Sequence, residues 1–381
     1  MAGLTVLDLT RVLAGPYATL VLADLGARVV KVETPGIGDD SRAFGPFVND
    51  RSAYFLSLNR GKESIALNLK DDAHRQTFEA LVATADVLVE NYRPGTLAKL
   101  GYPWEILEAL NPRLVYAAIS GFGHTGPYSR RPAYDLVVQG MGGIMSVTGQ
   151  EGADAPTRVG TSVGDITAGL FGVAGILSAV IERQRSGKGM MVDVAMLDCQ
   201  VAILENAIAR YTAQGEVPGP LGARHPSITP FESFAVADGH IIVAAGNDAL
   251  FVKLCGAIGR PDLAADPRFA TNTARTDNHG ALAAELSAVL ATRGRDDWLR
   301  ILEDAGVPCG PINNVAQVLA DPHVAARNMV IETDHPVAGR VRMAGNPIKL
   351  SRYDDPPTRD PAPELDADRA AVLARLGKGG D

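Results

Sequence analysis

The first third of the chain alternates short apolar runs with amphipathic stretches. Thr5-Val6-Leu7-Asp8-Leu9 is nearly continuous in apolar character, the pattern of a strand buried on both faces. Gly15-Pro16 opens a helix that reaches about Leu25; proline suits the first helical turn, and Gly26 follows as a C-terminal stop. Residues 28–33 read as a second strand, 71–84 as an amphipathic helix, 87–90 as a strand, 104–110 as a helix and 114–119 as a strand. Strands separated by helices of this length predict parallel βαβ units.

The middle of the chain predicts helix. Asp165 precedes an apolar stretch, residues 166–181, in which Gly169, Gly172 and Gly175 recur every three positions and allow close packing on a sheet or another helix. Residues 190–195 read as a strand and 196 to about 212 as one long helix. Gly215-Glu216-Val217-Pro218-Gly219-Pro220-Leu221-Gly222 is the best candidate linker. From about residue 226 to 325 the pattern changes: 231–236 and 240–245 form a hairpin around Asp238-Gly239, and helices follow near 248–258, 278–291 and 294–305, a smaller α+β domain. A short strand at 329–332, a proline-rich stretch at 355–363 and a helix at 366–376 close the chain. No internal repeat is visible.

Composition narrows the class. With 381 residues the chain is long enough for about two or three domains. Hydrophobic residues at 46% and charged residues at 21% exclude a disordered chain. The 40 glycines and 24 prolines follow no triplet period, which excludes collagen. A net charge of −8 argues against a protein that coats nucleic acid, yet leaves room for a local basic pocket that takes a phosphorylated small molecule. Cys199, Cys255 and Cys309 are widely spaced without a CxxC, so neither a metal site nor a disulfide framework is expected, and reduced thiols in a cytoplasm are. The N-terminus lacks the charged-then-apolar pattern of a signal peptide, and no apolar run is expected to reach the ~18 residues of a membrane span.

Gly121-Phe122-Gly123-His124-Thr125-Gly126 matches GxGxxG after a strand. The dinucleotide fingerprint also needs a helix directly after it, and Pro127 and Ser129-Arg130-Arg131-Pro132 read as loop instead. A glycine-rich loop at a strand end is the better reading.

Three stretches carry candidate chemistry. Asp8 to Pro16 runs from a strand end into a helix, Val89-Glu90-Asn91-Tyr92-Arg93-Pro94-Gly95 closes another strand, and Val163-Gly164-Asp165 opens the glycine-spaced helix. Together with Ser64 to Lys70, Ala133 to Gly149, Ser186-Gly187-Lys188-Gly189 and Val192-Asp193, they make the chain resemble the class III CoA-transferases of the CaiB/BaiF type, the family of formyl-CoA transferase and L-carnitine CoA-transferase, over nearly its whole length. The resemblance implies a Rossmann-like α/β domain built from both chain ends (1–195 and 326–381), a linker helix and Gly/Pro linker at 196–225, a smaller α+β domain at 226–325, and an interlocked homodimer.

By itself Asp165 reads as an N-cap. The resemblance makes it the nucleophile: it takes the acyl group of an acyl-CoA, then CoA itself as an aspartyl thioester, and passes CoA to an acceptor carboxylate without a metal. Gly140 to Gly143, with Gly142 and Gly143 central, are candidates to hold the oxyanions through backbone N–H groups. The related α-methylacyl-CoA racemases use a His–Asp pair; Tyr134 stands at the position of their His, next to Asp135, and a tyrosine is a poor base near neutrality. The racemase stays the alternative, and Tyr134 and Asp135 are expected to support the transferase site. A CoA-binding protein without activity and a nicotinamide enzyme are more distant alternatives.

CoA contacts implied by the resemblance fall on Arg11, Leu13, Ala14, Leu67, Lys70, Asn91, Tyr92, Arg93, Lys99 and Arg131. Three positions depart from the pattern: Thr34 and Pro132 stand where formyl-CoA transferase has an Arg and a Lys, for which Arg130 or Arg131 could compensate, and Arg11 stands where it has a His. The chain lacks that enzyme's glycine run near residue 225, which argues against oxalate or formate. Arg224 and His225 resemble members acting on dicarboxylic acids such as succinate, with a plain linker contact as the competing reading. The expectation is a cytoplasmic enzyme acting on an acyl-CoA and a small carboxylic acid, succinyl-CoA-like donors favoured, without nucleic acid or membrane partners.

Overall fold

The computed structural model describes residues 1–376. The chain forms two compact units: Met1–Met145, Arg158–Glu216 and Pro322–Asp381 make the first, and Ser146–Thr157 with Val217–Asp321 the second. Both chain ends thus contribute to the first unit. Relative to the sequence reading, the border falls at 216/217, within the Gly/Pro segment, and a short excursion at 146–157 joins the second unit.

Six strands build the first unit's sheet: β1 (Thr5–Asp8), β2 (Arg28–Glu33), β3 (Glu63–Ala66), β4 (Val87–Glu90), β5 (Val115–Ser120) and β6 (Met190–Ala195). Their spatial order is β3-β2-β1-β4-β5-β6, and every neighbouring pair is parallel. Successive residues point to opposite faces. Val6, Val29, Val87, Val89, Val115 and Ala117 face one hydrophobic core, while Leu7, Val30, Ile65, Leu88 and Tyr116 face another. Helices cover both sides: α1 (Ala14–Asp24), α2 (Ala53–Asn59), α3 (Asp72–Thr84), α4 (Trp104–Leu110), α5 (Asp135–Met141) and α6 (Val163–Ser186). The first core is completed by α1 and α6, the second by Phe78, Leu81 and Val82 of α3 and Leu107 of α4.

The glycine spacing of α6 has the expected use. A Cβ at Gly169 would meet the Ala14 carbonyl oxygen at 2.8 Å, one at Gly172 the Ile119 side chain at 2.7 Å, and one at Gly175 the Val192 side chain at 2.6 Å. These contacts set the depth at which α6 lies on α1, β5 and β6. The helix is longer than the 166–181 run. Against expectation, it is the one described helix long and apolar enough, by length and composition, to cross a membrane. The physical reason lies in its two faces: the glycine face is buried in the fold, while Leu170, Phe171 and Ile181 stay exposed on the other.

The segment expected as one helix at 196–212 is two, α7 (Met196–Ile203) and α8 (Glu205–Gln214), parted at Leu204. The strand expected at 329–332 is one arm of a hairpin, Val330–His335 against Gly339–Ala344. The C-terminal segment closes the sheet's β3 edge: the Asp368 carboxylate accepts the Ser64 N–H at 2.8 Å, and Asp366 accepts that of Ala66 at 2.8 Å.

In the second unit, Phe231–Val236 and Gly239–Ala244 form the expected hairpin, and Cys309–Pro311 adds a third antiparallel strand. Asp248–Ala257, His279–Leu290 and Arg295–Asp304 are helical, and Phe234, Ile241, Phe251, Leu282, Leu286, Trp298 and Leu302 fill the core.

Candidate active site

The strand order fixes where a ligand can lie. From β1 the chain steps outward to β2 and β3, then returns to place β4 on the other side of β1. At such a reversal the loops leaving adjacent strands diverge and open a crevice at the C-terminal strand ends. A cavity of about 440 Å³ lies there, lined by Arg11 to Ala14 after β1, Asn91 to Pro94 after β4, Gly121 after β5, Arg131 to Tyr134, and Asp165. A second cavity of about 490 Å³ shares Arg11 and Tyr92 with it and is lined by Thr34, Leu67 and Lys70.

The loop after β1 is held under strain. Val12 has φ +68°, a left-handed conformation that costs a β-branched residue energy. Its N–H donates to Asp39 Oδ1 at 3.1 Å, while the neighbouring Arg11 exchanges two backbone bonds with the Asn91 side chain, at 2.8 and 2.7 Å. Asp39 in turn pairs with the fully buried Lys31 at 2.9 Å, and Lys31 donates to the Thr10 carbonyl at 2.8 Å. Below lies Asp8, which accepts from Lys62 at 2.9 Å and from Thr19 at 2.6 Å. Burial alone would push the Asp8 carboxyl up, but Lys31 and Lys62 hold it well below the usual carboxylate range. This buried ionic network was missed in the sequence reading, although Asp8 and Lys31 interrupt apolar strands and so carried a signal.

Asp165 lies in the first turn of α6, not at its cap: the helix starts at Val163, and Ser162 holds the cap position. The free N–H groups of that turn still face negative charge favourably. One of them, on Gly164, is taken by Asp135 Oδ1 at 2.9 Å. Asp135 also accepts from Gln139 at 2.7 Å and pairs with Arg158 at 3.3 Å. The Asp165 side chain itself makes no hydrogen bond to a described residue. Burial and the nearby Asp135 push its carboxyl from 3.8 up to about 7. A poorly solvated carboxylate without hydrogen bonds is a better nucleophile than one in water.

A family model described as CoA-transferase family III matches residues 1–369. The chain belongs to CoA-transferase family III. Its reaction moves CoA from an acyl-CoA to an organic acid. It is 49% identical over 371 residues to the acetyl-CoA:oxalate CoA-transferase of Acetobacter aceti, covering 97% of this chain and 94% of that one. Identity to the succinyl-CoA:glutarate CoA-transferase of Mus musculus is 40% over 354 residues, 93% of this chain and 81% of that one. Among solved structures, a CaiB/BaiF family protein from Brucella suis superposes with a TM-score of 0.85 at 44% identity, covering 98% of both chains.

In this CoA-transferase the cavities gather most of the expected contacts. Arg11, Leu13, Ala14, Asn91, Tyr92, Arg93, Arg131, Tyr134 and Asp165 line the first, and Leu67 and Lys70 the second. Lys99 lines neither; it is the exposed last residue of a short helix, Thr96–Lys99, whose Leu97 is buried in the second core. Gly142 and Gly143 are also absent from the walls: a Cβ at Gly142 would meet Gln200 at 2.4 Å, and one at Gly143 would meet Leu204 at 2.9 Å, so these glycines admit neighbouring side chains. A Cβ at Gly164 would meet Val138 at 2.7 Å and Asp135 at 3.0 Å, so this glycine clears room for those two side chains. Tyr134 is 76% exposed, outside the packing of α5. Arg224 and His225 belong to the second unit, where Arg224 pairs with Glu151 at 3.2 Å and the His225 ring stacks edge-on against Phe231. Glu90 also went unread: Tyr116 donates to it at 2.9 Å, its other oxygen holds the Tyr92 N–H, and burial pushes its carboxyl up to about 7. No helix directly follows the GxGxxG loop, since α5 begins only at Asp135.

Proposed function

We propose that this CoA-transferase works through Asp165 as covalent nucleophile. The observation that carries the reading is a half-buried, unbonded carboxylate in the first turn of α6, on the wall of the crevice where the cationic loops converge. An Asp165 oxygen attacks the thioester carbonyl of the donor; the C–S bond breaks and leaves an acyl–aspartyl anhydride and CoA thiolate. The thiolate attacks the aspartyl carbonyl, releasing the donor acid and forming an aspartyl thioester. The acceptor carboxylate attacks that thioester to give a second anhydride, and the thiolate then attacks the acceptor's acyl carbon, restoring Asp165. One thioester replaces another, and charge is conserved at each step. The charge that develops on oxygen lies at the helix N-terminus, where peptide dipoles favour it. CoA is a polyanion, and Arg11, Arg93 and Arg131 along one cavity with Lys70 in the other suit its phosphates.

The substrates we assign are small dicarboxylic acids and their CoA thioesters, succinyl-CoA among the donors. Oxalate, which the missing glycine run spoke against, stands in the name of the 49% relative and is an acceptor to test. We further propose a homodimer in the cytoplasm. The exposed apolar residues Leu170, Phe171 and Ile181 of α6, with Val201, Ile208 and Tyr211 of α7 and α8, suit a partner chain. Three free cysteines suit a reducing compartment. The test incubates succinyl-CoA with a panel of labelled acids and the wild type or Asp165→Ala. New acyl-CoA should form only with the wild type; full activity in the variant sinks the mechanism. Sedimentation velocity decides the dimer.

A further inference from the structure

A third cavity, of about 460 Å³, adjoins the first at Leu13. Leu13 lines both, and the first turn of α6 contributes to both, Asp165 to the first and Ser162 and Ile166 to the third. Leu13 and the start of α6 therefore border both cavities. The third cavity's charged lining is Asp24, Arg60 and Arg158. Asp24 and Arg60 neutralise each other in a buried pair, and Arg60 also donates to the Ser57 carbonyl at 3.1 Å. Arg158 is different. Its side chain is about half exposed, and its contact with Asp135 uses one guanidinium nitrogen at 3.3 Å, which leaves most of its five donors for a ligand. Asn346, 5% exposed, accepts the Ile348 N–H through its side-chain oxygen, so its amide N–H groups are available to the same space.

We propose that this cavity is the pocket for the non-reacting carboxylate of a dicarboxylic substrate, with Arg158 as its binding and specificity-determining cation. A guanidinium presents paired N–H groups that match a carboxylate in two parallel bonds, and here one arm stays anchored on Asp135, which fixes the others. A monocarboxylic acid places only apolar atoms there and leaves those donors unused. The inference rests on the transferase reading above. It moves the diacid contact from Arg224, in the second unit, to Arg158.

The test compares glutarate and butyrate, acids of similar length, as acceptors from succinyl-CoA in the wild type, Arg158→Met, Arg158→Lys and Arg224→Met. The wild type should favour glutarate. In Arg158→Met the ratio of the two kcat/KM values should fall about 10- to 100-fold, the size of a lost charged hydrogen bond, chiefly through KM for glutarate. Arg158→Lys should recover part of it. A parallel loss with both acids would make Arg158 a support for Asp135 and overturn the proposal, as would an unchanged ratio, a wild type without preference for the diacid, or a fall seen in Arg224→Met instead. Absence of transfer to any acid in the wild type would refute the transferase reading itself.

Discussion

Asp165→Asn should make the protein more stable while abolishing its turnover. A carboxyl whose native pKa lies above its unfolded one weakens the fold as it ionises. For Asp165 the penalty is absent below the unfolded value of 3.8, grows as pH rises to about 7, and is complete above about 7. The rise of about three pH units, at about 1.36 kcal/mol each, sets a ceiling of about 4 kcal/mol at alkaline pH. An amide of the same shape carries no such penalty. In urea titrations at matched protein concentration, Asp165→Asn should be about 2–4 kcal/mol more stable than the wild type near about pH 8, and about 1–2 kcal/mol more stable near about pH 5. A variant equally or less stable at about pH 8, or a gap that does not widen with pH, would refute the burial of an ionising carboxylate on which the nucleophile rests.

Other outcomes follow from the same structure. The free enzyme's kcat/KM should drop about tenfold per pH unit below about pH 7, where Asp165 takes up its proton, and level off above; a profile flat down to about pH 5 contradicts this. Asp39→Asn removes the charge opposite buried Lys31 and weakens the hold on Val12. Stability should fall by about 1–3 kcal/mol and KM for acyl-CoA should rise several-fold with kcat less affected, read by denaturation and steady-state kinetics. Gly169→Val drives a side chain into the Ala14 carbonyl and should cost about 1–3 kcal/mol or more, visible as a lowered Tm; an unchanged Tm contradicts the close approach of α1 and α6.

The sheet was legible because parallel strands covered on both faces are mostly apolar, and Val6-Leu7, Val29-Val30 with Val32, and Val87-Leu88-Val89 keep that character around the charged Asp8, Lys31 and Glu90. The spacing of Gly169, Gly172 and Gly175 showed that α6 would be approached closely, since no other residue type allows a backbone oxygen at 2.8 Å from where Cβ would stand. β3 was missed: Glu63-Ser64-Ile65-Ala66 is short and half polar, and its Ser64 and Ala66 N–H groups are capped by Asp368 and Asp366 some 300 residues on, a pairing that local pattern cannot carry. Asp165 was legible as a helix start by pattern and as a nucleophile only by resemblance, because what raises its pKa is burial and Asp135, both tertiary. Arg158 gave no signal: a single arginine in a loop acquires meaning only when the fold sets it beside Asp135 and a cavity.

The central claim, a covalent bond to Asp165, is tested most directly by trapping. The protein is mixed with acyl-CoA, quenched with hydroxylamine and mapped by peptide mass spectrometry. The expected result is a hydroxamate on the peptide carrying Asp165, formed only with acyl-CoA and absent from Asp165→Asn. A hydroxamate at another carboxylate, or an unmodified Asp165 peptide from enzyme that is turning over, would contradict it.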